Sequence, residues 1–79
     1  MTFVPGDIVV FVPPSGFRDV GVYTPQEPGH YLRGVEGGEL AMYIFTPANN
    51  GTMSHAHPYV LTKLGIVRCF ENHLKKLRT

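Results

Sequence analysis

Two histidines separated by one residue, His55 and His57, have the types and spacing that most directly suggest chemistry. Residues i and i+2 of a β-strand point to the same face, so both imidazoles could bind one transition-metal ion. His30, His73 or Cys69 would have to complete such a site. Two ligands of a four-ligand site specify little, and an ordinary polar loop is the commoner origin of this pattern. The sequence therefore predicts no bound metal and no other cofactor.

Cys69 and His73 lie at helical spacing and could in principle act as a nucleophile and its base. A lone cysteine within an apolar run such as residues 66–70 is far more often a buried small hydrophobic residue. The sequence shows no paired catalytic carboxylates, no serine-based triad and no phosphate-binding glycine loop. We therefore expect the chain not to be an enzyme.

Positive charge is concentrated in the C-terminal third of the chain. Five cationic side chains there could contact phosphates, and the nearby Tyr59 or Phe70 could stack on bases. The five are Lys63, Arg68, Lys75, Lys76 and Arg78. A solvated, positively biased terminus is the simpler explanation, because the net charge of the whole chain is only +1. Binding of nucleic acid or a ribonucleoprotein is kept as the alternative function.

Aromatic and arginine side chains in or beside turns give a stronger functional signal. Tyr, Phe and Arg supply large contact areas at low entropy cost and are typical anchors of protein interfaces. Two or three of them could instead simply cap the ends of a small barrel. The candidates are Phe17, Arg18, Tyr23, His30, Tyr31 and Arg33. They predict a binding site for another protein.

Short strands must position these residues. Residues 8–12 form an uninterrupted β-branched and aromatic run that Pro13-Pro14 ends, and residues 20–24 form a second short strand. Residues 40–45 are apolar on both faces, which is typical of a strand covered on both sides. Gly37-Gly38 favours a tight hairpin between residues 31–35 and 40–45, in which Val35 faces Leu40.

This pattern predicts that residues 6–12 and 40–45 are strands of one sheet. Ile8 and Val10 are expected in the core. With them we expect either Met42 and Ile44 or Tyr43 and Phe45.

The segment from residue 59 to 78 has two interpretations. Its apolar residues recur every three or four positions, which is typical of one long helix. Gly65 in the middle and the β-branched composition of residues 66–70 favour a split instead. In the split interpretation, residues 59–61 and 66–70 form a hairpin, followed by a tight turn at Glu71-Asn72 and a last short element at residues 74–77.

Size and composition limit the organisation of the chain. Its 79 residues suit one domain, and Cys69 is the only cysteine, so no intrachain disulfide forms. No secretion signal is visible, and a reducing, cytoplasmic setting is expected. The two apolar strands offer more apolar side chains than one small interior accepts. A homodimer or small homo-oligomer is therefore predicted, and no membrane association.

Several short segments together resemble the SH3-like small barrels, including the KOW type and short phage-encoded members. These segments are Pro5-Gly6-Asp7-Ile8-Val9, Val20-Gly21-Val22, Ala41-Met42-Tyr43-Ile44-Phe45, and the ending formed by residues 65–70 and 72–77. Such barrels often close with a single helical turn and a last strand.

The resemblance implies a mainly β fold: a single small barrel of about five strands over residues 1–79, with a short helical turn or helix near the C-terminus. SH3-like barrels serve in peptide binding, ribosomal and transcription contacts, and viral assemblies. The expected function is therefore that of a non-enzymatic protein-binding module. A small phage or mobile-element factor acting on host machinery would fit this resemblance.

Overall fold

The computed structural model describes residues 3–26, 30–47 and 57–77. These residues form one curled, antiparallel half-barrel sheet of seven strands in the order β3-β2-β6-β5-β4-β1-β7. The strands are β1 (Ile8–Phe11), β2 (Asp19–Tyr23), β3 (Tyr31–Glu36), β4 (Leu40–Phe45), β5 (Tyr59–Thr62), β6 (Gly65–Arg68) and β7 (Leu74–Lys76). A 3₁₀ turn, Glu71–His73, precedes β7. The predicted mainly β class is confirmed, with seven strands rather than about five.

The C-terminal segment follows the split interpretation rather than the single helix. β5 and β6 form a hairpin in which Val60 lies opposite Val67. Gly65 closes the turn with a φ of +107°, a conformation that L side chains rarely adopt and that would end any helix. Thr62 Oγ1 accepts a hydrogen bond from Leu64 N and donates one to Gly65 O, so the turn is also held by a side chain.

The glycine pair forms a corner between two separately paired strands. Gly37 N donates to Arg18 O at 3.1 Å, and Gly38 N donates to Phe11 O at 2.9 Å. These bonds tie the corner to β1 and to the residue before β2. β3 then pairs with β2, while β4 pairs with β1 and β5. The predicted hairpin between β3 and β4 is therefore wrong.

The register predicted for that hairpin, with Val35 opposite Leu40, is wrong as well. Val35 lies opposite Val20 of β2, and Leu40 lies opposite Val10 of β1. The apolar strand β4 is flanked on both edges, by β1 and β5. A strand in that position has ladder hydrogen bonds along both of its edges.

β1 directs Val9 and Phe11 into the core, where they are 0% and 1% exposed. Ile8 is 41% exposed on the outer face, and Val10 is partly exposed. The prediction that Ile8 and Val10 are core residues is therefore wrong. The two sets alternate on opposite faces, and the set containing the phenylalanine fills more of the interior.

β4 contributes Ala41 and Tyr43 to the core and directs Met42 outward. Of the two predicted core pairs, Met42 with Ile44 is wrong because Met42 is exposed, and Tyr43 with Phe45 holds for Tyr43 alone because Phe45 is 46% exposed. The pairing of β4 with β5 shifts register between Tyr43 and Phe45, and such an irregularity breaks strict alternation. The prediction that β1 and β4 belong to one sheet is confirmed, since Ile8 lies opposite Met42.

The core is built mainly from small and medium apolar side chains of the inner face. Its members are Phe3, Val9, Phe11, Val20, Val22, Val35, Ala41, Tyr43, Val60, Val67, Cys69 and Leu74. Within the described ranges, no helix is long and apolar enough to cross a lipid bilayer.

Alanine substitutions of two neighbouring valines test which face of β1 is buried. Val9→Ala removes two fully buried methyl groups and should lower the free energy of unfolding by about 2 kcal/mol. The melting temperature should fall by about 10 °C. Val10→Ala loses the same β-propensity at a partly exposed site, so it should cost less than about 1 kcal/mol. Urea denaturation of both variants measures the difference, and equal losses would contradict the assigned face.

Candidate binding surface

Five ring side chains, here called the aromatic cluster, lie in edge-to-face contact: Tyr31, Tyr23, Phe70, His57 and His73. The Tyr23 ring centroid lies 5.8 Å from that of Tyr31 and 5.9 Å from that of Phe70. Phe70 in turn lies 4.9 Å from His57 and 5.9 Å from His73. These separations and near-perpendicular planes are the favourable geometry for aromatic pairs.

Strand pairing brings the cluster together from three parts of the chain. Tyr23 ends β2 and lies opposite Tyr31 of β3 on one side and Arg68 of β6 on the other. Phe70 follows β6 by two residues, so the pairing of β2 with β6 places it beside Tyr23. His57 precedes β5, and the 3₁₀ turn supplies His73.

The ring of Tyr31 lies across the backbone of Gly21. A Cβ atom on Gly21 would meet Tyr31 Cε1 at 3.3 Å, closer than ordinary packing. Glycine therefore leaves the space that lets the tyrosine cover the strand. Tyr31 still exposes 63% of its surface, so one face of the cluster stays open to solvent.

Arg68 joins residues 25–26 to β5 and β6. It is only 8% exposed, and its Nη2 donates to Gln26 O at 3.1 Å. Its guanidinium carbon lies 5.9 Å from the ring centroid of Tyr59. Tyr59 in turn donates its hydroxyl to Pro25 O at 2.8 Å and packs against Phe45 at 5.0 Å. The arginine thus has a structural role beside the aromatic cluster.

The structure divides the six predicted partner-binding residues into separate groups. Tyr23, His30 and Tyr31 lie together at one end of the β2–β3 hairpin. His30 O accepts from Thr24 N at 2.8 Å, which closes that end. Arg33, further along β3, is exposed and its Nε donates to Gly34 O at 3.4 Å.

Phe17 and Arg18 lie at the opposite end of β2. Phe17 is 69% exposed in the connection from β1. Since β2 spans five residues, roughly 15 Å separates this end from Tyr23. The six residues therefore do not form one continuous surface, and the group containing Tyr23 is the one that meets further aromatic rings.

Acidic neighbours partly neutralise the C-terminal cations. Lys63 Nζ lies 3.7 Å from Glu39 Oε2, and Lys76 Nζ lies 3.7 Å from Asp7 Oδ1. The two lysines lie in different parts of the sheet, one at the β5–β6 turn and one on β7.

The remaining cations are also dispersed. Arg68 is buried, as described above, and Lys75 is exposed on β7. Arg78 lies outside the described residues. The described cations therefore do not form one basic patch.

The histidines predicted as possible metal ligands are in different environments. His55 lies outside the described residues, and His57 packs on Phe70. His73 Nδ1 is buried without a hydrogen-bond partner in the described part of the chain. Among residues 3–26, 30–47 and 57–77, no group of three or more His, Cys, Asp or Glu could hold a metal ion.

Cys69 is 1% exposed within the core. Burial removes solvent from the thiolate and raises the pKa of the thiol from 9.0 to about 12. The thiol is therefore protonated at neutral pH, whereas a nucleophile or metal ligand would need the thiolate.

Sequence reasoning did not assign Phe70, His57 and His73 to the partner-binding group. Phe70 lies 47 positions after Tyr23 in the chain, and no linear spacing relates the two residues. Only the antiparallel contact between β2 and β6 makes them neighbours.

Comparisons with protein-family models, with curated proteins and with solved structures find no match for this chain.

The buried thiol predicts a specific pH dependence. Above pH 9 the unfolded chain loses the Cys69 proton, while the folded chain retains it up to about pH 12. The folded state then binds more protons, so its stability falls as pH rises through this window. Urea unfolding between pH 8 and 11 should show a steeper loss for the wild type than for Cys69→Ala. Parallel pH profiles would contradict the raised pKa.

Excess Zn²⁺ should leave the melting temperature unchanged, as the absence of a predicted metal site implies. A metal that binds only the folded state would raise it by mass action. Thermal denaturation with and without Zn²⁺ measures the effect. A rise that disappears in the His55→Ala, His57→Ala double variant would overturn this prediction.

Proposed function

We propose that this chain is a non-enzymatic protein-binding module with an SH3-like barrel fold, and that it binds its partner through the aromatic cluster. The observation that carries the proposal is the chain of edge-to-face rings from Tyr31 through Tyr23 to Phe70, with its outer end open to solvent.

The strand order supports the SH3-like part of the proposal. Five strands, β7-β1-β4-β5-β6, form a continuous antiparallel series, and the β2–β3 hairpin attaches at one end of it. The 3₁₀ turn followed by the short strand β7 corresponds to the closing helical turn and last strand of such barrels. On this assignment, the hairpin accounts for the two strands beyond the expected five.

The chemistry of the cluster supports a protein partner. Tyr31 offers a large, mostly exposed ring whose orientation is restrained by contacts with Gly21 and Tyr23. A restrained tyrosine loses little conformational entropy on binding, and its hydroxyl can form a hydrogen bond at the edge of an apolar contact. Tyrosine at the centre of a contact is a frequent source of binding energy in protein interfaces.

The placement of charge favours a protein over nucleic acid. Arg68 is buried, and Lys63 and Lys76 each lie near a carboxylate. Affinity for nucleic acid comes largely from cations that neutralise phosphates. The described cations do not provide such a track beside the aromatic rings.

Tyr31→Ala tests the proposal, because this residue is mostly exposed and its loss should leave folding intact. The immobilised wild-type chain should retain a specific protein from lysate of the source organism, and Tyr31→Ala should weaken that retention at least tenfold. Mass spectrometry identifies the protein. Retention should survive nuclease treatment and 0.5 M salt, since an aromatic contact depends little on charge.

Leu64→Ala and Phe17→Ala serve as matched variants. Leu64 is 50% exposed in the β5–β6 turn, away from the cluster, so its loss should leave binding unchanged. Phe17 lies at the opposite end of β2. Unchanged binding by the Phe17→Ala variant would assign recognition to the aromatic cluster. Retention that depends on Phe17 and not on Tyr31 would refute the cluster as the binding surface. Loss of retention on nuclease treatment would favour the nucleic-acid alternative.

A further inference from the structure

A row of five apolar side chains, here called the outer row, crosses the outer face of the sheet on five neighbouring strands. Its members in order are Leu77, Ile8, Met42, Leu61 and Ile66. Ile8 lies opposite Met42, Met42 opposite Leu61, and Leu61 opposite Ile66. Leu77 N donates to Ile8 O at 2.9 Å, which continues the pairing of β1 with β7 by one residue.

Every member of the outer row is substantially exposed, with exposed fractions between 36% and 48%. Opposed residues share a face of the sheet, so the five side chains form one continuous stripe. At a strand spacing of about 4.8 Å, the stripe is roughly 19 Å long. It contains no polar or charged residue.

Val10 and Leu40 widen the stripe by a second row. They lie opposite each other on β1 and β4, and Leu40 is 51% exposed. With them the patch covers roughly 230 Å² in plan, and more as accessible surface once the relief of the side chains is counted. A contiguous apolar patch of this size is often functional on a monomer. The nearest cations are Lys75, opposite Val10, and Lys63, which lies near Glu39.

We propose that the outer row is the contact between two copies of this chain in a symmetric homodimer, with Met42 of one copy packed on Met42 of the other. Met42 is the middle residue of the row. The sheet curls around its core, so the outer face is convex, and two convex faces approach most closely at their centres.

The composition of the row favours a second copy over a different partner. A two-fold axis through Met42 in the plane of the interface places the apolar centre of the row, Met42 with its neighbours Ile8 and Leu61, on the same apolar centre of the second copy. No unpaired polar group is buried by that arrangement, and the row carries no donor or acceptor that would select a different protein. A net charge of +1 on each copy opposes association only weakly.

Other occupants fit the row less well. Residues 48–56, the longest part of the sequence outside the described ranges, contain one large apolar residue, Met53. They do not supply enough apolar side chains to cover five strands. An anionic membrane surface would require several unpaired cations around the patch, and the two nearest are Lys75 and the partly neutralised Lys63.

The footprint is smaller than that of a standard protein interface, so we expect a weak dimer that dissociates in the micromolar range. Sedimentation equilibrium of the chain from 1 to 200 µM should show reversible conversion from 8.8 kDa to twice that mass. Met42→Glu places two carboxylates on each other across the axis and should raise the dissociation constant at least tenfold. Circular dichroism of this variant should be unchanged, because Met42 lies on the outer face.

Leu32→Glu is the matched control. Leu32 is an exposed apolar residue of β3, outside the outer row, so this variant should dimerise like the wild type. A wild-type chain that stays at 8.8 kDa at 200 µM would overturn the proposal. So would an oligomer that Met42→Glu and Leu32→Glu affect equally.

Disulfide trapping gives a second, independent readout. Met42→Cys should form a disulfide-linked dimer under mild oxidation, because the axis places this position against itself. Leu32→Cys should stay monomeric on a non-reducing gel. The native Cys69 is buried and its raised pKa keeps it protonated, so it should not compete. Equal trapping of both variants would contradict the assigned contact.

This dimer contact uses none of the residues of the aromatic cluster. Tyr31→Ala should therefore leave the sedimentation profile unchanged, and Met42→Glu should leave the fold of the cluster intact. Failure of either proposal can be recognised without reference to the other.

Discussion

The backbone amides of Gly37 and Gly38 provide the constraint on which the rest of the sheet depends. They donate to the carbonyls of Arg18 and Phe11 instead of closing a hairpin between β3 and β4. With its amides committed in this way, the corner sends β3 to β2 and β4 to β1. A Cβ atom on Gly37 would lie 2.7 Å from two ring carbons of Pro13, so no larger residue fits without a shift. The corner thus separates the hairpin from the five-strand series.

The position of the β2–β3 hairpin then determines which aromatic rings Tyr23 contacts. β2 meets β6 through one paired position, Tyr23 opposite Arg68. Arg68 reinforces this junction by holding the carbonyl of Gln26. The same junction places Tyr23 beside Phe70, so the ring contacts both join the hairpin to the sheet and create the exposed surface. The proposed partner contact would therefore use rings that the fold already holds in place, which lowers the entropy cost of binding.

Alternation along the strands explains the outer face. A curled sheet encloses one face, so each fully apolar strand must present about half of its side chains to solvent. Val9 and Phe11 point inward in β1, and Ile8 consequently joins Met42 outside. A chain of this size buries a limited fraction of its surface, and association through the outer face would add to its stability.

Local pattern determined the elements, and tertiary contacts decided their partners. The β-branched and aromatic run of β1, the run of β4 that is apolar on both faces and the glycine at position 65 predicted strands, a hairpin and a closing turn, because propensity and turn geometry act within a few residues. The sequence also placed Tyr23 and Tyr31 among the candidate partner-binding residues in or beside turns. It did not reveal which strand pairs with β3, which face of β1 is buried, or that Phe70 meets Tyr23. The pairing of strands depends on hydrogen bonds and packing between residues far apart in the chain. The buried face of β1 could not be predicted because the strand is apolar on both faces, so its sequence does not distinguish the two.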